Sequence, residues 1–284
     1  MTELSDLLEV LELEPAGEGR YTARNFGEGP GLVVFGGQLL AQAIVAGSQA
    51  DPTKEVKTLH TVFARSGAID QPLDVEVDVM HAGRAFASAT VSFNQGGKLC
   101  SRSLMLLSAV EPDLIRHQPD RPPVESPAEA AGSSHGGEWW EIRTCGGADI
   151  SDPDAIGPPT LDVWIRFPDA PGDLRTSQAL LAYASDGFLI GTAMRPHPGV
   201  GQALSHVTIS TTVLTHTLTF HEPFSAGEWL LISHEAPYAG RGRSYGRAHV
   251  FTEDGRLVAS FVQDNMIRDF PQGQAPKPGE RSRH

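Results

Sequence analysis

Leu4, Leu7, Leu8, Val10, Leu11 and Leu13 recur at helical spacing and predict a short amphipathic helix at the start of the chain. The stretch Leu39-Leu40-Ala41-Gln42-Ala43-Ile44-Val45-Ala46 is apolar and free of charge, opened by Gly36-Gly37 and closed by Gly47. That pattern predicts a helix buried nearly all round. Alternation follows. Leu73 to Val79 has one apolar and one acidic face, Ala87 to Phe93 alternates as well, and Leu99 to Val110 is a further strand. Asn94-Gln95-Gly96-Gly97 reads as the turn of a hairpin.

Residues 111–136 change character: Pro112, Pro119, Pro122, Pro123 and Pro127, with Gly132-Ser133-Ser134, predict a mobile connector. Order resumes at Trp139-Trp140-Glu141-Ile142 and Val163-Trp164-Ile165, and the Gly/Pro-rich tail from Pro271 is expected to fray. The second half repeats the first. Ser177 to Ala184 is again an apolar, uncharged helix, followed by strand patterns at Val213–Phe220, Trp229–Ile232, Arg247–Phe251 and Leu257–Val262. A shift of 158 residues lays Phe93 on Phe251, Gly97 on Gly255 and Leu99 on Leu257. A buried helix needs apolar surface on every side, which a curved antiparallel sheet supplies. The expected class is therefore α+β, a double hotdog: repeats over 1–110 and 137–270, a connector over 111–136 and a tail over 271–284.

A length of 284 residues suits two such units, and 40% hydrophobic residues suffice for their cores. The net charge of −13 argues against a nucleic-acid partner, which needs a concentrated basic face. Cys100 and Cys145 are too few for a disulfide framework or a four-cysteine zinc site. The acidic start lacks the basic flank of a secretory signal, and no apolar run reaches membrane-spanning length, so a cytoplasmic protein is expected. No phosphate-binding or dinucleotide fingerprint is present, and His216 and His221, five apart on a predicted strand, make poor metal ligands; no cofactor or metal is expected.

The duplication itself singles out residues. Asp186, at the end of the second helix, has Val45 as its twin; Gln263, in the last strand, has Met105. Buried polar groups of this kind demand partners, whether as satisfied structural groups or as a site. The Phe35-Gly36-Gly37 turn is either a tight turn or a place where substrate meets backbone N–H groups. Arg84, Arg241 and Arg243 suit phosphate contacts or a solvated surface.

FGGQLLAQA (35–43), LHTVFARSG (59–67), DLRTSQALLAYASD (173–186), HTLTFHEPFSAGEWLL (216–231) and GRLVASFVQDNMIR (255–268) together resemble the acyl-CoA thioesterase II family over most of the chain. The resemblance implies hydrolysis of acyl-CoA, with catalytic roles for Asp186, after Tyr183-Ala184-Ser185, and for Gln263. The family's third catalytic residue is a threonine, at a position that Val213 occupies here. Thr215 or Thr211 is expected to replace it, with Thr215 preferred, since side chains two apart on a strand share a face. Phe35, Gly36, Gly37, Arg84, Arg241 and Arg243 are the candidate substrate-binding residues for such a ligand, and a homodimer or larger homo-oligomer is expected.

Competing readings are a double-hotdog enoyl-CoA hydratase, whose Asp/His stretch Asp186-Gly187-Phe188-Leu189-Ile190 does not resemble, and an acyl-CoA-binding protein without turnover. Gly132-Ser133-Ser134-His135-Gly136 fits the nucleophile-elbow spacing but has no strand ahead of it, so direct attack by water is expected instead. Ser133→Ala should accordingly hydrolyse acyl-CoA at the wild-type rate in a thiol-release assay; a dead variant would restore the serine mechanism.

Overall fold

A computed structural model describes residues 3–27, 32–132 and 139–270. Among them, helix α1 (Leu4–Leu11) buries Leu4, Leu7, Val10 and Leu11, as its spacing predicts. Strands β1 (Glu14–Gly17) and β2 (Arg20–Ala23) precede helix α2 (Gly36–Ser48), which is buried on almost every side. Strands β3 (Glu55–Phe63), β4 (Leu73–Ala82), β5 (Phe86–Gln95) and β6 (Lys98–Ser108) complete the first repeat. The β5–β6 turn runs through Gly96 and Gly97 at φ of 56° and 73°, the left-handed pair that a two-residue hairpin favours.

The second repeat holds β7 (Ala131–Gly132), β8 (Glu141–Thr144), β9 (Thr160–Arg166), helix α3 (Leu174–Ser185) and a short helix α4 (Leu189–Met194) that the hydrophobic pattern had not indicated. Strands β10 (Ile209–Phe220), β11 (Leu230–Gly240), β12 (Arg243–Thr252) and β13 (Leu257–Asp269) follow. All the described strands form one antiparallel sheet in the order β1-β2-β4-β5-β6-β3-β10-β13-β12-β11-β9-β8-β7. The two repeats meet where Leu59 of β3 pairs with Leu218 of β10. Each of these strands carries an irregularity a few residues before that pair, between Val56 and Thr58 and between Val213 and Thr215. The sheet wraps α2 and α3, and its apolar face, with Leu59, Val91, Phe93, Leu107, Leu218 and Phe261, closes one core around both helices. This is the tandem hotdog architecture. The free edges are β1 and β7, four and two residues long, which leaves little edge for pairing. No helix among the described residues is long and apolar enough to cross a membrane.

The connector is held against the second repeat rather than free. Arg116 pairs with Glu222 at 2.8 Å, the Gln118 side chain bonds Gly255 O and Leu257 N, and the Trp164 indole donates to Glu125 O at 2.8 Å. Ala130 joins Trp164, Leu231 and Phe251 in a small second core. Its prolines thus shape an extended strap over the sheet's outer face. Residues 133–138 and the tail from Pro271 lie outside the described residues.

The two helices run antiparallel, and their contact depends on glycine. A Cβ on Gly37 would collide with Tyr183 O, and one on Gly36 would lie 2.5 Å from Asp186 Oδ2. Gly37→Ala should therefore cost about 1–3 kcal/mol in urea denaturation, as overpacking against backbone does. Gly172→Ala, which points into open space, should stay within roughly 0.5 kcal/mol of wild type.

Candidate active site

Helix α3 is set by its Asp173 N-cap, whose side chain accepts from Thr176 N, and ends at Asp186. A carboxylate at a helix C-terminus opposes the local dipole. Here the N-terminus of α2 lies against it, and the Gly37 N–H donates to the carboxyl. Gln263, fully buried on β13, brings its amide to the same place. Its Nε2 lies 3.3 Å from Asp186 Oδ1, 3.3 Å from Ser185 O and 2.8 Å from His216 Nδ1. His216 Nε2 is in turn 3.1 Å from Ser185 Oγ, whose hydroxyl donates to Ala182 O at 2.9 Å. Gln263 Oε1 is buried with no hydrogen-bond partner among the described residues.

Electrostatics follow from burial. Asp186 retains partial solvent access, but the protein around its carboxyl desolvates it and pushes its pKa up to about 7, against a smaller downward effect of the Gly37 N–H. Burial pushes His216 down to about 3, so it is neutral at ordinary pH. Tyr183, one turn before Asp186, is pushed up to about 12 by burial and then by the Asp186 charge. Phe35, Phe26 and Trp140 pack around Tyr183 at ring-centroid distances of 5.1, 6.3 and 5.7 Å, so an aromatic wall flanks the carboxyl.

The structure brings Asp186, Gln263, Phe35, Gly36 and Gly37 together. It does not bring Thr215: the bulge at Leu214 puts Val213 opposite Asn265 and Thr215 opposite Asp264, and the Thr215 hydroxyl donates to Asp264 at 3.1 Å on the exposed face. Arg241 and Arg243 are exposed at the β11–β12 turn, three to five residues beyond the Gly246 that pairs with Gln263. Arg65 follows Phe63, whose ring approaches Gly36, at the same end of the strands. Arg84 occupies the β4–β5 turn at the opposite end, beside the Phe86–Ser108 pair, and so is not part of this cluster. A cavity of about 260 Å³ lies at the far end of the helix pair, lined by Ser48, Lys54, Asp173 and Gln178, and holds none of the candidate residues.

His216 and Ser185 are the members that sequence reasoning passed over. The signal was there: the bulged residues Lys57 and Leu214 correspond, so the β3 position matching His216 is Leu59, which pairs with Met105 as His216 pairs with Gln263. His216 is thus another polar residue with an apolar twin. The twin of the Asp186–Gln263 end is filled by Met105, which packs on Gly47.

Between the unfolded carboxyl near 3.8 and the folded one near 7, the native state binds more protons. This group's contribution to stability is therefore greatest below the lower value and is lost as pH rises through the upper one. Asp186→Asn should gain thermal stability over wild type at pH 8, and the gain should shrink toward pH 5; a pH-independent difference would contradict the shifted carboxyl.

The chain matches the model of the acyl-CoA thioesterase N-terminal domain over residues 27–108 and that of the C-terminal domain over residues 115–267. It is 28% identical to human acyl-coenzyme A thioesterase 8, over 93% of this chain and 89% of that protein. Acyl-CoA thioesterase 2 of Haemophilus influenzae is 26% identical, over 93% of this chain and 98% of its own. The acyl-CoA thioesterase II TesB2 of Mycobacterium marinum superposes with a TM-score of 0.80 at 28% identity, covering 94% of this chain and 99% of that structure. With both halves matched in order, and the doubled fold shared across nearly the whole length, the chain belongs to the acyl-CoA thioesterase family, in its TesB-like double-hotdog form.

Proposed function

We propose that the chain hydrolyses acyl-CoA thioesters to free acid and CoA by direct attack of water, with Asp186 as general base and Gln263 as the group that fixes the water. The observation that carries this reading is the 3.3 Å approach of Gln263 Nε2 to a carboxyl whose pKa is raised to about 7. A base poised near the working pH takes a proton most effectively. Gln263 Oε1, a buried acceptor without a partner among the described residues, suits the water's second hydrogen. Water oxygen adds to the thioester carbon while its proton passes to Asp186. The tetrahedral intermediate then expels CoA thiolate, and the proton held by Asp186 goes to the sulfur.

The developing oxyanion is assigned to the first turn of α2, where the helix dipole and backbone N–H groups favour negative charge. Gly36 is the preferred donor, since the Gly37 N–H is engaged with Asp186. The aromatic wall of Phe35 and Tyr183 suits the start of the acyl chain, and the exposed Arg241 and Arg243 suit CoA phosphates. Thr215 has no part in this reading, because its hydroxyl faces Asp264.

Release of free CoA thiol from an acyl-CoA panel tests the proposal. Wild type should release thiol, with kcat/KM falling as pH drops through about 7, since the base must be ionised. Asp186→Asn should lose ~10²–10⁴-fold while remaining folded. A new hydroxyl without thiol would indicate a hydratase, and binding without either product a non-catalytic acyl-CoA-binding protein.

A further inference from the structure

A glutamine amide presents a donor end and an acceptor end of nearly the same shape, and the surrounding network decides which way it points. Gln263 Nε2 faces three atoms: His216 Nδ1, Ser185 O and Asp186 Oδ1. Turning the amide over would set Oε1 against a carbonyl oxygen and an ionised carboxylate, neither of which has a proton to give. The observed orientation therefore requires His216 Nδ1 to accept. The ring proton then sits on Nε2, which meets Ser185 Oγ, and the Ser185 hydrogen is committed to Ala182 O. Donation runs in one direction from the amide to the helix carbonyl.

This matters at one moment of the cycle. Once Asp186 has taken the proton of water, it is itself a donor, and an unrestrained amide would turn to offer it Oε1. We infer that His216 is a positioning residue for thioester hydrolysis: as a standing hydrogen-bond acceptor it keeps the Gln263 amide from turning over when Asp186 is protonated, so that Oε1 stays directed at the water. The inference rests on the Asp186–Gln263 reading above. The ring is well held for this task. It is fully buried and stacks on Phe261 at 5.3 Å and 18°. Its depressed basicity keeps it neutral throughout the range in which Asp186 titrates.

His216→Leu removes the acceptor, while His216→Asn offers Oδ1 close to where Nδ1 stood. In thiol release from acyl-CoA across pH 5.5–9.5, His216→Leu should lose roughly 10- to 100-fold in kcat with KM nearly unchanged, the usual cost of losing a partner that orients a reactive group. Its acid limb in kcat/KM should move to higher pH, because the turned amide favours protonated Asp186. His216→Asn should recover most of the rate and return the limb toward the wild-type position. Wild-type kcat and limb in His216→Leu would overturn the inference, as would His216→Asn being as impaired as His216→Leu. Should His216→Leu fail to fold by circular dichroism, Ser185→Ala serves instead. It frees the ring tautomer and should shift the limb the same way; an unmoved limb with full kcat overturns the inference there too. Asp186→Asn, assayed alongside, separates the two levels. Activity retained in it would remove the hydrolytic reading itself, whereas activity lost in it but untouched by the His216 and Ser185 changes would remove only the role of His216.

Discussion

Two buried helices of opposite direction lie side by side in this protein, and a carboxyl group occupies the place where the end of one meets the start of the other. Asp186 closes α3, at the end where backbone carbonyls are unsatisfied, and takes the N–H of Gly37 from the first turn of α2. The helix to which the residue belongs disfavours its charge, and the helix facing it favours that charge. The balance, with desolvation added, leaves a carboxyl that titrates near neutrality instead of near 4. The glycines at 36 and 37 make this possible by omission, because any side chain there would separate the helices. The sheet completes the junction from below by delivering Gln263 and His216 from adjacent strands.

Much of this arrangement was legible from residues alone. The absence of charge in Leu39–Ala46 and Ser177–Ala184 marked both central helices, and the comparison of the two halves isolated Asp186 and Gln263. The failures have specific physical causes. Thr215 was expected on the inner face because residues two apart on a regular strand share one, and a single bulged residue at 214 reverses that alternation. His216 was passed over because LHTVFARSG was not read as a strand, so its apolar counterpart, Leu59, had no place in the comparison. Arg84 shares its residue type with Arg241 and Arg243 but sits on a turn at the other end of the strands. Only the pairing register distinguishes them.

The connector shows the same limit from another side. Five prolines between 112 and 127 marked it as irregular, correctly, but irregular backbone still packs when it meets suitable partners. Trp164, Arg143 and Glu222 provide them, through Glu125 O, Pro127 O and Arg116. Those partners lie far away in the chain, and no local pattern announces them.

The Met105 side chain resting on Gly47 has a consequence for how such a protein changes over time. In an assembly of two identical chains, any replacement appears at both symmetry-related positions, so gain at one end is tied to loss at the other. Joining the copies covalently cuts that tie. Here one end became a plain packing contact that contributes cohesion, which leaves the opposite end free to carry an ill-at-ease, desolvated acid that a symmetric pair would have to tolerate twice.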